Sequence, residues 1–528
     1  MDVPRLAPLL PLAAAIAGCG AGGGATPGEP AAEDGWDAAF NAALQPFADA
    51  VAAFTFYPIN PFSDAAIQMP IVVVLLLVAA SVFTAYFGFV QFRSFALARR
   101  TVRGDYSLGD EPGEVTHFQA LTAALSGTVG LGNIAGVAVA VSLGGPGATL
   151  WMIVAGLLGM ASKFAECTLG VRYRDVAPDG TIYGGPMYYL RKGLGERGYT
   201  GLGKALSVLF AVFCVGGSFG GGNMFQSNQA AAIFNAQMGL TGGSSGFVFG
   251  LVLAAVVGLV IIGGIKRIGA VTEKVVPFMV GIYLLAALAV IAVNVGYVPQ
   301  AFGEILSGAF TAEGITGGFV GVLIQGFRRA AFSNEAGVGS AAIAHSAVKT
   351  RYAASEGLVA LLEPFIDTVV VCTITALVIV IANGDGSIIT YGQEAEGVRA
   401  TSAAFATVLP WFPYVLTAAV VLFAFSTQLS WSYYGLQAWL YLFGRNRAAD
   451  LVYKVLFLVF VVLGASVSLG AVISFSDSMI FLMCVPNLIG VFLLLPIVRG
   501  EYEDYLGDAR DIDNGAPIPR ERVARVRL

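Results

Sequence analysis

Charge is what this 528-residue sequence has least of: 12% of its residues are Asp, Glu, Lys or Arg, against roughly 25% in soluble chains. That deficit excludes a soluble enzyme and a disordered scaffold, and without a basic stripe it excludes a nucleic-acid binder. Histidine is nearly missing, at two residues. No zinc-type histidine motif, phosphate-binding P-loop or nucleophile-elbow serine occurs, which argues against an ATP-driven pump. Five cysteines cannot form a disulfide framework in this length. Four of them, Cys167, Cys214, Cys372 and Cys484, lie in apolar runs and read as small buried hydrophobes. What abounds is apolar: 57% hydrophobic residues, mean hydropathy +0.77 and 67 glycines, a composition suited to closely packed membrane helices. The chain reads as an all-α polytopic membrane protein.

The first apolar run, Leu6 to Gly18 after Arg5, is too short to cross about 30 Å of hydrocarbon. It ends in Ile16-Ala17-Gly18-Cys19, which resembles a lipobox with Cys19 as the lipidated residue. Residues 1–19 are therefore read as a signal or lipoprotein peptide. Residues 20–69 follow as an exported linker with an interfacial helix over Trp36 to Phe56, whose apolar residues Phe40, Leu44, Phe47, Val51 and Phe54 recur at helical spacing.

Eleven later runs reach spanning length: 70–90, 117–143, 148–171, 203–237, 247–265, 275–298, 317–345, 356–382, 405–443, 451–470 and 478–498. If residue 70 starts outside, the inner loops collect basic clusters such as Arg93, Arg99 and Arg100, or Arg191, Lys192 and Arg197. The outer loops between spans then hold only Arg399. The positive-inside rule places the amino terminus outside and the carboxyl-terminal tail, 499–528, in the cytoplasm.

Apart from the leading span 70–90, ten spans divide into two sets of five, 117–298 and 317–498. An odd number per set gives the halves opposite orientation. The first span of each half is interrupted: Ser126-Gly127-Thr128-Val129-Gly130-Leu131-Gly132-Asn133 in one, Ser333-Asn334-Glu335-Ala336-Gly337-Val338-Gly339-Ser340 in the other. Glycine costs about 1 kcal/mol per residue in a helix interior, so both tracts favour unwinding. Unwound backbone at membrane depth is tolerated only where it lines a protein cavity. Paired interruptions in corresponding places point to the central site of a secondary transporter. An ion channel would need selectivity rings and subunit symmetry, and an internal inverted repeat speaks against one.

The tract Ser126 to Val137 resembles the alanine/glycine:cation symporter family of bacterial amino-acid carriers. So do Leu143-Gly144-Gly145-Pro146-Gly147, Lys163-Phe164-Ala165-Glu166, Tyr183 to Tyr189, Phe332 to Ser340 and Trp431-Ser432-Tyr433-Tyr434-Gly435. The resemblance runs in order from about residue 70 to about residue 500. It implies a leucine-transporter-type 5+5 inverted repeat with one extra leading helix, in the bacterial inner membrane. It also implies sodium-coupled import of small neutral amino acids by alternating access, with sodium as the co-transported ion, no organic cofactor, surrounding lipid and no required oligomer. A proton-coupled carrier of another small amino acid is the nearest alternative. One departure is Leu131, where many such carriers have threonine or serine.

An amino-acid zwitterion needs partners for a carboxylate, an ammonium and a side chain. Backbone N–H groups at a half-helix start suit the carboxylate, and Gly130, Leu131 and Gly132 offer them. Unwound carbonyls at Ser126, Thr128, Val129, Phe332 and Ser333 suit the ammonium or sodium. Asn334, Gly337 and, by resemblance, Gln226 join the expected substrate contacts, with Trp431 covering the side chain. Asn223, Ser227, Asn228 and Gln229 fit interhelical hydrogen bonds instead. By the same resemblance, the hydroxyls of Ser426 and Thr427 join the carbonyls of Ser126, Val129 and Phe423 around sodium. The competing use of those hydroxyls is back-bonding to their own helix. A second sodium is expected among Thr128, Asn133 and Ser333.

Charges inside spans are costly and rarely idle. Glu335 sits in the second break, with Arg328 and Arg329 one to two turns earlier to keep it ionised. Lys163 and Glu166, one turn apart, are expected to pair. Glu363 and Asp367 stand at i and i+4, so one should be protonated or salt-bridged. His117 and His345 are assigned no catalytic or metal role.

Overall fold

Backbone polar groups cannot be left unbonded in hydrocarbon, so long apolar runs must close their hydrogen bonds within helices. A computed structural model of the chain describes residues 36–59, 69–240, 244–310, 318–393, 397–467 and 470–519. Among these residues, two two-stranded antiparallel ribbons, 58–59 with 69–70 and 175–176 with 182–183, are the whole of the sheet. The signal-peptide reading with Cys19, and most of the linker, lie outside the described residues.

The helices that matter for the site are α1 (Trp36–Thr55), α2 (Ile71–Tyr86), α3 (His117–Thr128) and α4 (Gly132–Gly144). They continue with α5 (Ala148–Arg172), α6 (Thr200–Met238), α7 (Ser245–Ile261), α8 (Gly264–Val293), α9 (Gly318–Asn334) and α10 (Ala341–His345). The last are α11 (Ala353–Ala382), α12 (Phe412–Phe443), α13 (Arg447–Ser466) and α14 (Gly470–Asp513). Among the described residues, seven helices are long and apolar enough to cross a membrane, or eight if the bent pair α3–α4 is one span. Of the eleven expected runs, those at α2 and α7 meet helices of only 16 and 17 residues, and α9 stops at the second break.

Helices α5, α11, α12 and α14 form the interior, while α8 and α13 stand outside them. The outer faces are apolar: Phe278, Leu285, Val293, Leu451 and Val459 are exposed, as expected where lipid is the solvent. Helix α1 does not stand apart on a surface. It packs along α14, with the Phe47 and Phe475 rings 6.1 Å apart and those of Phe56 and Phe481 5.5 Å apart.

Both expected interruptions are present. A Thr116/Gln119 capping box starts α3, and the helix ends where Val129 turns extended (ψ 100°). Helix α4 resumes with a π-helical turn, Gly132–Gly136, bent by 53° from α3. The second break follows Asn334: Glu335, Gly337 and Gly339 take positive φ of 53°, 90° and 89°. Glycine adopts such angles freely, but a glutamate there is strained and needs its side chain held. Further π turns occur at Gly220–Met224 in α6 and Phe365–Cys372 in α11, a feature that recurs at functional sites.

The segment entering the first broken pair is stitched to the one leaving the second. Glu114 and Val115 donate their N–H groups to the Ala347 carbonyl, and Lys349 N–H donates to Val115 O at 2.8 Å. Arg174 donates to the carbonyls of Pro112, Ser346, Val348 and Thr350 at 2.6–2.9 Å.

Candidate substrate and cation site

The two breaks face one another across a small cavity. Thr128, Gly130, Leu131 and Gly132 line it from the first break, Phe332 and Glu335 from the second. Gly221 and Gln226 of α6, Thr427 and Trp431 of α12, and Ile480 of α14 complete the wall. Its free volume is about 20 Å³, room for about one water, so the site is closed tightly around itself.

Glycine makes that closeness possible. A Cβ on Gly222 would lie 2.3 Å from Cβ and Cγ of Trp431, and one on Gly132 would lie 3.2 Å from Cα of Ser333. Trp431, buried, donates Nε1–H to Glu335 Oε1 at 3.2 Å, and the Ser340 hydroxyl donates to Glu335 Oε2. These two bonds hold the side chain of the one non-glycine residue in the break with a positive φ. Gln226 donates to the Gly221 carbonyl at 3.0 Å, while its buried Oε1 has no partner among the described residues. It is the polar acceptor in the wall left for something else. Its neighbours are occupied elsewhere: Asn223 donates to Phe457 O at 2.7 Å and Asn228 to Gly464 O at 3.0 Å.

Beside the cavity, α3 and α12 meet through oxygen atoms. Thr427 donates its hydroxyl to the Ser126 carbonyl at 3.0 Å, and Ser126 donates its own to the Ser426 carbonyl. Ser426 donates to Phe423 O, three residues back on its own helix, at 3.0 Å. The two hydroxyls thus differ: that of Ser426 bonds within α12, that of Thr427 crosses to the first break. A Cβ on Gly130 would touch Thr427 Oγ1 at 3.0 Å, which puts the hydroxyl hard against the unwound backbone after Val129. Buried oxygens from Ser126, Phe423, Ser426 and Thr427 are therefore gathered in one place, the donor chemistry that a hard cation such as sodium requires.

The second expected cation set is arranged differently. Thr128 makes only long bonds, 3.4 and 3.5 Å, back to its own helix. Asn133 and Ser333 both turn to Asp367, at 2.7 and 2.8 Å, and Thr368 donates to the same carboxylate at 2.7 Å. Asn133 also accepts the Gly130 N–H at 2.7 Å. Asp367 is thus the bolt between the two breaks, and sequence reasoning missed that role; its one signal was a carboxylate inside an apolar run.

Three expected substrate contacts do not line the cavity. Ser333 bonds Asp367, Asn334 bonds Thr368 at 3.0 Å and the Ala336 N–H at 2.9 Å, and the Gly337 carbonyl accepts from Asn487 at 2.9 Å. The break needs its own polar side chains to satisfy backbone freed by unwinding. Two charge assignments are corrected as well. Lys163 pairs with Glu363 across helices at 3.1 Å, not with Glu166, which accepts from Asn487 at 2.7 Å. One-turn spacing puts two side chains on a common face, but tertiary packing chose the partner. Arg328 lies over the Phe56 ring at 5.0 Å instead of facing Glu335.

A model of the sodium:alanine symporter family matches residues 55–515. The sodium/alanine symporter AgcS of Methanococcus maripaludis is 42% identical over 434 residues, covering 82% of this chain and 93% of that protein. The amino-acid carrier protein AlsT of Bacillus subtilis is 34% identical, covering 80% and 86% respectively. Among solved structures, that of MhsT in complex with L-phenylalanine matches with a TM-score of 0.54 at 15% identity, covering 74% of this chain and 92% of MhsT. The fold is therefore of the leucine-transporter type, and the family match with the apolar helices makes the molecule a multi-pass membrane transporter. By the match of its family model over most of its length, the chain belongs to the sodium:alanine symporter family.

Proposed function

We propose that the protein imports a small neutral amino acid, alanine first, together with sodium, by alternating access. The observation that carries this reading is the meeting of both unwound segments at one buried cavity, with the oxygen cluster of Ser126, Phe423, Ser426 and Thr427 beside it. Backbone N–H groups at Leu131 and Gly132 receive the substrate carboxylate at the start of α4, helped by the helix dipole. Carbonyls freed at the ends of α3 and α9, from Thr128 and Phe332, receive the ammonium. Gln226 Oε1 supplies a further acceptor, and Trp431 with Leu131 leaves a small apolar space for the side chain. Sodium takes the oxygens between α3 and α12, so its binding draws the first break against α12 and completes the substrate site next to it. Asn133 and Ser333, both held by Asp367, form the second place where a cation fits.

The same reading divides the chain into a leading helix at 70–90, five-span halves at 117–298 and 317–498, and a tail at 499–528. Eleven spans put the amino terminus outside and the carboxyl terminus in the cytoplasm, in agreement with the loop charges. Rocking of one half against the other exposes the cavity to each side in turn. Alanine uptake into proteoliposomes, with and without a sodium gradient, tests it. Accumulation above equilibrium that collapses with the gradient is expected; equilibration without accumulation would leave a channel as the better description.

A further inference from the structure

Away from the cavity, five ionisable side chains form an unbroken buried chain. His117, the first residue of α3, bonds Glu356 through Nδ1. The other oxygen of Glu356 meets His345 Nδ1 at 2.5 Å, and His345 Nε2 meets Glu363. The other oxygen of Glu363 meets Lys163 Nζ at 3.1 Å. His345, Glu356, Glu363 and Lys163 are fully buried, and the His117 side chain is 6% exposed. The transport reading uses none of them.

The geometry at His345 sets its proton count. A neutral imidazole has one donor and one acceptor nitrogen, yet here each ring nitrogen faces a carboxylate oxygen. One nitrogen would press its lone pair against an oxygen unless an additional proton sits in that contact, and two carboxylates around one ring place it on the imidazole. With His345 as imidazolium, Lys163 and His345 balance the two carboxylates of Glu356 and Glu363. A metal ion is not needed for that balance, since the Lys163 ammonium already occupies the cation's place at Glu363. The titratable groups facing the cluster are Glu166 and Cys167 of α5, Arg174 just beyond it, Glu335 of the second break and Tyr434 of α12. Arg174 spends its donors on four backbone carbonyls, Glu166 accepts from Asn487 on its other side, and no hydrogen bond among the described residues links either to His345.

The members come from four elements: α3 before the first break, α10 after the second, α5, and the start of α11. We propose that His345 is a proton-binding site whose occupancy locks the cytoplasmic ends of the two broken helices together. The proposal rests on the transport reading for its direction. When that end opens, His345 on α10 draws away from Glu356 and Glu363 of α11, water reaches the ring, and the proton leaves to the cytoplasm; closure takes one back. The proton is a latch, not cargo, so acid on the cytoplasmic side opposes opening and slows turnover.

The test is sodium-driven alanine uptake into right-side-out proteoliposomes at varied lumenal pH, with sodium-dependent alanine binding measured on the same purified protein. One proton released on opening limits the effect to about tenfold in rate per pH unit. A fall of several-fold on lumenal acidification is expected in the native protein, and a flat profile in His345→Gln. His117→Gln keeps the His345 proton but cuts the tie to α3. It should retain the slope while raising hydrogen exchange in the 112–117 segment. If His345→Gln does not fold, the native profile and Glu356→Gln, which should flatten it, decide the matter. A flat native profile overturns the latch, as does a His345→Gln protein with the native slope. A lumenal dye reporting one proton entering with each alanine also overturns it, because the proton would then be cargo. Absence of alanine binding would instead defeat the transport reading itself.

Discussion

Thr427→Ala separates the two roles open to the hydroxyl beside the first break. In the structure Thr427 Oγ1 donates to the Ser126 carbonyl at 3.0 Å, with both residues buried. Removing it deletes a hydrogen bond with a net worth of about 1 kcal/mol and leaves a buried carbonyl unpaired, at about 1–3 kcal/mol. If the oxygen also ligates sodium, the ion loses one ligand of comparable worth. Because about 1.4 kcal/mol is a factor of ten in affinity, the sodium concentration for half-maximal alanine uptake should rise about ten-fold. Thr427→Ser keeps the oxygen and should stay within about threefold of the native value. The assay is uptake at fixed alanine across a sodium series, with thermal melting of each purified variant as a control on folding. An alanine variant that melts earlier yet keeps the native sodium dependence would refute the ligand role. The hydroxyl would then be a bond between helices and nothing more.

Four shorter predictions accompany it. Cysteines placed at 384–393 should react with an impermeant reagent from outside and those at 191–197 should not; the opposite pattern would reverse the topology. In competition for alanine uptake, serine should inhibit measurably, since an apolar wall rejects an added hydroxyl by roughly 100-fold at most, whereas leucine and glutamate should not. Gly222→Ala puts a methyl 2.3 Å from Trp431 Cβ; overpacking of about 1–3 kcal/mol should lower the melting temperature and abolish uptake, and normal uptake would show that Trp431 can move freely. Asp175 is partly buried, which opposes ionisation, but Arg445 and Lys192 hold its carboxyl below the usual range. With that sign, its contribution is present above the ordinary carboxylate range and fades as pH falls through the lowered value. All three groups are about a third exposed or more, so the effect is about 1 kcal/mol or less, read as a shallower acid limb of melting temperature in Asp175→Asn.

The breaks were legible because their cause is local: glycine and polar residues in the middle of apolar runs disfavour helix wherever they stand. Seven of the ten expected substrate residues line the cavity: four from the first tract, with Phe332 just before the second, Gln226 and Trp431. Partner choice was not legible. Lys163 has Glu166 one turn away on its own helix, yet Glu363 of α11 takes it, and no pattern within α5 records how closely α11 packs there. Asn133 and Ser333 carry the residue types of cation ligands, and only the fold reveals that Asp367 binds both. The π turns escaped as well. Each admits one extra residue into a helix, and the glycine, asparagine or aspartate found in each does not by itself fix that geometry.

Helix α14 runs for 44 residues, about 66 Å at 1.5 Å per residue, more than twice the hydrocarbon thickness. It behaves as a tie rod. Near one end Ile480 forms part of the cavity wall. At its middle Asn487 grips the Gly337 carbonyl of the second break and the Tyr189 hydroxyl. Further on, Tyr502 and Tyr505 bond Ser94 and Thr101, and Asp513 bonds Arg100. Pro486 and Pro496 interrupt the rod, each lacking the N–H that would bond the carbonyl four residues earlier. Its stiffness is thus lowest at these two prolines, and force applied to the exposed end would be taken up as bending at Pro496 and then beside Asn487 before it moved the cavity wall.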